Sequence, residues 1–155
     1  MRIRAGVIAA LALSCAPTSA IAQDQAFLRS VGVDARNAML ANIDSMMCGA
    51  VACTPASDAE RANPPVTDDE AASIAAVAVV SAVAEHCGLD WTQGSFLPMM
   101  ARWRSAPDIT DRKLALIGAT HGFVQGQAVQ AFAAQGECDE QTRTAIQSQF
   151  DQTRD

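Results

Sequence analysis

Along most of this chain the apolar positions recur every three or four residues, the spacing of helices that bury one face. Between about 25 and 48, Leu28, Val31, Met39, Ile43 and Met46 keep that period together with Phe27 and Met47. Gly32 and Asp34 mark a place where this first helix could kink or break. The second pattern is the best punctuated. Thr67-Asp68-Asp69-Glu70 reads as a capping box with acids in the first turn, and Gly88 stands where a helix stops. Ala71 to Cys87 is apolar nearly all round, which predicts a central, buried helix.

A shorter helix is predicted over about 95–104, with Ser95 as its cap and Pro98 in its first turn. A fourth begins near Asp108 or Thr110 and ends before Gly136. At 100° per residue it places Leu114, Ile117, His121, Val124, Ala128 and Phe132 on one face. Gly118, Gly122 and Gly126 lie beside that face at spacings of four. Each glycine costs about 1 kcal/mol relative to alanine in an exposed helix, so the strip is expected to meet another backbone. That backbone belongs either to this chain or to a second copy in a homodimer. A fifth helix is predicted over about 139–151, with Ile146 and Phe150 facing inward. The segment Thr54 to Thr67, with Pro55, Pro64 and Pro65, reads as a loop too short to divide two domains. The sum is an all-α fold, a compact single-domain helical bundle of four to five helices.

Composition agrees with this reading. Half of the 155 residues are hydrophobic and 18% charged, within the globular range. There are five Phe, two Trp and no Tyr, which disfavours a β-sandwich built on aromatic strand pairs.

Met1 to Ala22 has a different organisation. Arg2 and Arg4 form a basic start, Ala5 to Leu13 an apolar run, and Ala20-Ile21-Ala22 a small-x-small cleavage motif before Gln23. These are the parts of a secretory signal peptide of the kind that serves a bacterial envelope. The run is well short of the roughly 20 residues that span a bilayer. A lipid anchor on Cys15 is disfavoured, because Ala12 stands where the lipobox has leucine. The expected organisation is a signal over 1–22 and one helical domain over 23–155, periplasmic or secreted, with no membrane span after cleavage near Ala22. Losing Arg2 and Arg4 without an acid takes the net charge from −6 to −8. That sign argues against nucleic acid and anionic membranes as partners.

Cleavage also removes one cysteine, leaving Cys48, Cys53, Cys87 and Cys138, which in an exported chain predict two disulfides. If the first two helices are antiparallel neighbours, Cys48 and Cys53 share one pole and Cys87 lies at the other. The next two helices then bring Cys138 to the pole of Cys87. The predicted pairs are therefore Cys48–Cys53 and Cys87–Cys138. The four-residue gap between Cys48 and Cys53 and the lack of a βαβ pattern argue against a redox-active pair.

Candidate chemistry concentrates in two places. Around Glu85-His86-Cys87, two histidines and an acid could make a three-ligand metal site: Glu85, His86 and His121. The structural reading of the same residues is a packing histidine at 121 and a helix-terminal one at 86, which the helix dipole favours. The second place is the third helix. Trp91, Arg102, Trp103 and Arg104 are of the types enriched in binding hot spots, and otherwise cover the end of the bundle. The pairs Met46-Met47 and Met99-Met100 lack copper-carrier spacings and read as core filler. No catalytic motif, phosphate loop or cofactor motif is present, and the acids Glu85 and Asp90 have no evident cleft. The sequence therefore points to a non-enzymatic interaction module, an inhibitor, immunity or envelope accessory protein whose partner is another envelope or secreted protein. The alternative is a metal- or small-ligand-binding protein that uses His86 and His121.

Overall fold

The capping box read at Thr67 is formed. Its hydroxyl accepts from Glu70 N, and the Glu70 carboxylate accepts from Thr67 N. The computed structural model describes residues 18–107 and 109–152, with side chains from Asp24 onward. The basic start, the apolar run and Cys15 of the predicted signal lie outside the described residues. The cleavage motif falls within the first described helix.

Six α-helices occur among the described residues: α1 (Thr18–Ala41), α2 (Asp58–Ala62), α3 (Asp68–His86), α4 (Leu97–Arg104), α5 (Asp111–Ala133) and α6 (Glu140–Gln152). A two-residue hairpin, β1 (Met47–Cys48) and β2 (Val51–Ala52), pairs Met47 with Ala52. None of these helices is long and apolar enough to cross a membrane.

Helix α3 is central, as its apolar sequence requires. It buries Ile74, Ala75, Ala78, Ala82 and Ala84 against α1 and α5. Small side chains on α3 let the two neighbours approach closely. At Gly32 of α1 an added Cβ would overlap the Ala71 carbonyl, so this glycine is a packing position inside an unbroken helix. The expected kink is absent for that reason. The expected length was too great. Helix α1 stops at Ala41, a 3₁₀ turn follows over Ile43–Ser45, and Cys48 enters the hairpin. Gly49 turns the hairpin with φ of 67°. The disulfide Cys48–Cys53 and the bond from Cys53 N to Met46 O close it. Two residues counted toward the first apolar face are therefore outside: Phe27 and Met47 are 66% and 58% exposed.

The predicted loop contains α2, which has its own capping box of Ser57 and Glu60. It is held from α5: Arg112 donates to both Glu60 carboxylate oxygens, at 2.5 and 3.0 Å, and to Thr54 O. Those bonds hold the Glu60 carboxyl below its usual range. Glu70 is pushed up by burial, but the bonds from Lys113 Nζ and Thr67 N outweigh this and its carboxyl ends below the usual range. Arg36, 4% exposed, donates to Val66 O and Asp68, tying α1 to the start of α3. Arg29 pairs with Asp69 beside it.

The second disulfide, Cys87–Cys138, joins the end of α3 to the approach to α6, as the pole argument requires. Arg143 adds a bond to Cys87 O. The third helix differs in detail from expectation. A π-helical turn over Thr92–Phe96 precedes α4, marked by the bond from Leu97 N to Thr92 O. Ser95 lies inside that turn and does not cap α4; its hydroxyl donates back to Trp91 O. Phe150 of α6 is buried against Gly94, where a Cβ would overlap its ring.

Among the described residues the glycine strip on α5 does not meet the close backbone expected for it. None of them lies within 4 Å of a Cβ at Gly122 or Gly126, and at Gly118 there is only the Met100 methyl at 4.0 Å. The close backbone contact occurs at Gly32, where α1 crosses α3.

Candidate functional site

Two groups of side chains flank α4. The first is polar and internal. His121 of α5 is 1% exposed, and its Nε2 lies 2.9 Å from Ser81 Oγ of α3. Ser81 Oγ is 2.7 Å from Ser95 Oγ and 3.0 Å from Val77 O; Ser95 Oγ is 2.8 Å from Trp91 O. The two carbonyls can only accept, so counting hydrogens assigns the tautomer. With Nε2 protonated, three hydrogens serve three of the four contacts, in the order His121 to Ser81, Ser81 to Ser95, Ser95 to Trp91 O. With Nδ1 protonated only two are available. The arrangement therefore favours a neutral imidazole that donates through Nε2.

Burial acts in the same direction, lowering the His121 pKa to about 4. The ring packs between Phe96, at 4.9 Å between centroids, and Trp91, at 6.2 Å. In this tautomer Ser81 has no base to activate it, and Ser81 is itself fully buried. The trio is a satisfied polar node in a tightly packed interior.

Sequence reasoning identified His121 and missed both serines. A signal existed: Ser81 is the one polar residue in the apolar run 74–84. Its partners come from 14 and 40 residues away, which no local spacing reveals.

The remaining members of the predicted metal set are engaged elsewhere. Glu85 accepts from Gln125 Nε2 at 2.6 Å, and His86 packs against Phe132 with 6.2 Å between ring centroids. Among the described residues no group of three His, Cys, Asp or Glu is placed to hold a metal ion. Asp90 accepts from Gln93 N at the start of the π-helical turn. Of the methionine pairs, Met99 and Met100 are buried, Met46 is half-buried and Met47 is exposed.

The second group lies on the outer side of α4. Trp103 is half-buried, with Arg102 5.9 Å and Lys113 5.6 Å from its ring centroid. Its indole Nε1 is buried and has no hydrogen-bond partner among the described residues. Arg102 and Arg104 are exposed, and neither makes an ion pair or a hydrogen bond among the described residues. By contrast Arg29, Arg36, Arg61, Arg112 and Lys113 are each paired with a carboxylate. Trp91, assigned by sequence to the same surface, stands apart from it and covers His121.

Between α3, α4 and α6 an open cleft of about 360 Å³ is walled by Val77, Val80, Pro98, Met99 and Phe150, with Ser95, Gln149 and Arg102 as its polar side chains. Comparison of the chain with protein-family models, with curated proteins and with solved structures finds no match in any of the three.

Proposed function

We propose that the chain is an exported, disulfide-braced helical protein of the periplasm or extracellular space. Its role is to bind another envelope or secreted protein through the outer side of α4. The observation that carries the reading is the pair of exposed cations, Arg102 and Arg104, without an ion pair or hydrogen bond among the described residues, on either side of the half-buried Trp103. In a chain of net charge −6, whose other described surface cations are largely paired with carboxylates, two guanidiniums without such a partner among the described residues cost little to the fold and suit bidentate carboxylate recognition. A Trp flanked by Arg is the composition of an interface anchor. The partner's matching surface is acidic. The two disulfides suit an oxidising compartment, which supports export.

Site-specific photocrosslinking in the source envelope tests this. A crosslinker at position 104 is expected to give one adduct of discrete mass, lost on Trp103→Ala or Arg102→Ala, while one at Ser73 on α3 gives none. Equal adducts from both positions, or none from 104 with the protein folded and exported, would overturn the reading.

A further inference from the structure

The cleft beside α4 is a distinct feature from its outer face. At about 360 Å³ it falls in the range of roughly 300–1,000 Å³ in which small-molecule sites occur. Its walls are hydrocarbon from three elements: Val77 and Val80 of α3, Pro98 and Met99 of α4, and Phe150 of α6. The missing Cβ of Gly94 admits the Phe150 ring, so the wall exists because the π-helical turn carries glycine there.

Ser95 also lines the cleft, nine-tenths buried, but its hydroxyl is committed to Trp91 O and Ser81. The interior therefore offers a guest no unsatisfied polar group at Ser95 and favours hydrocarbon. Arg102 is the one charged side chain lining the cleft, exposed to solvent and without a counter-ion among the described residues, and Gln149 lines the cleft with it. An apolar cavity whose one charge is an unpaired guanidinium complements a single-chain amphiphile with an anionic head.

We propose that this cleft binds a fatty-acid-like carboxylate, its tail against Val77, Val80, Met99 and Phe150 and its head on Arg102. Gln149 supplies a second donor to the carboxylate. This site shares Arg102 with the protein-binding reading but uses neither Arg104 nor Lys113, so Arg104→Ala separates the two.

The test is titration of the mature, disulfide-bonded chain with decanoate below its micellar concentration, followed by calorimetry and by the Met99 methyl resonance. One decanoate per chain is expected, with a shift of the Met99 methyl. Arg102→Ala should weaken binding about tenfold or more, the scale of one charge-assisted hydrogen bond. Arg102→Lys should recover part of that loss, and Arg104→Ala should change nothing. Val80→Trp, which fills the cleft, should abolish binding; if it does not fold, the Met99 methyl shift in the unsubstituted chain decides the location. Decyltrimethylammonium, with the same tail and opposite charge, should bind at least tenfold more weakly. The proposal is overturned if decanoate does not bind, if both amphiphiles bind alike, if Arg102→Ala has no effect, or if the Met99 methyl stays in place. Loss of the crosslinked partner on Arg104→Ala with decanoate binding intact would separate the two sites.

Discussion

The end of the bundle where α1 passes into α3 and the outer side of α4 use the same residue types to different ends. At the first, Arg36 is almost wholly buried and donates to a backbone carbonyl and a carboxylate, while Arg112 and Lys113 reach across to Glu60 and Glu70. At the second, Arg102 and Arg104 touch no carboxylate among the described residues. Each cation of the first region holds a segment that its own helix does not contain. Those of α4 make no ion pair or hydrogen bond to another segment among the described residues. An arginine that the fold does not use is free for recognition, and a buried one is not.

The contrast predicts a graded set of stability effects. Arg36→Met should cost the most, about 3 kcal/mol, because Val66 O loses its donor in a buried contact and the half-exposed Asp68 loses its charge partner. Denaturant unfolding checks it, and a loss below about 1 kcal/mol would show that the junction of α1 and α3 does not rest on this residue.

The next effect depends on pH. His121 has a folded pKa of about 4 against 6.5 unfolded, so the unfolded chain binds the proton more readily. The stability conferred by the neutral ring is complete above about pH 6.5 and is lost as pH falls toward 4, by up to about 3 kcal/mol. His121→Gln should flatten that part of the stability profile. An unchanged slope between pH 6.5 and 4 in the variant would place the acid sensitivity elsewhere.

Gly122→Ala and Gly126→Ala each meet open space among the described residues, so each should stabilise a monomer by about 0.5–1 kcal/mol. If the strip packs against a second copy, the same substitutions should weaken self-association in sedimentation instead. Gly32→Ala, whose Cβ would overlap Ala71 O, should destabilise in either case. The smallest effect belongs to Arg102→Ala and Arg104→Ala, within about 0.5 kcal/mol for each exposed side chain. A larger loss would mean that α4 is held by these cations and is not a surface kept free for binding.

Much of this architecture is legible in the chain itself. The Thr67 capping box, the apolar run of α3 and the period of α5 are local signals, and each fixes an element within a few residues. The cysteine pairing followed from helix directions alone, because an up-and-down path leaves few ways to bring four sulfurs into contact. The hairpin was hidden because Met46, Met47 and Cys48 continue the apolar period of α1, while the Cys48–Cys53 closure that holds the hairpin is completed by a residue beyond that run. Helix α2 was hidden among prolines, although Ser57 and Glu60 form the same cap as Thr67 and Glu70.

What the sequence by itself determined is the helical class, the place of most helices, the pairing of the cysteines and the negative balance of charge, all set by spacing and composition. The tertiary structure alone decided which polar groups are spent. Ser81 and Ser95 became partners of His121, and Glu85 a partner of Gln125, because helices distant in sequence run side by side. It also decided which helical glycine meets a neighbour's backbone, Gly32, and which described arginines make no ion pair or hydrogen bond, Arg102 and Arg104. The reason is physical: periodicity fixes the face a residue occupies, while the atom it meets there is set by the crossing of two helices, which no single stretch of sequence contains.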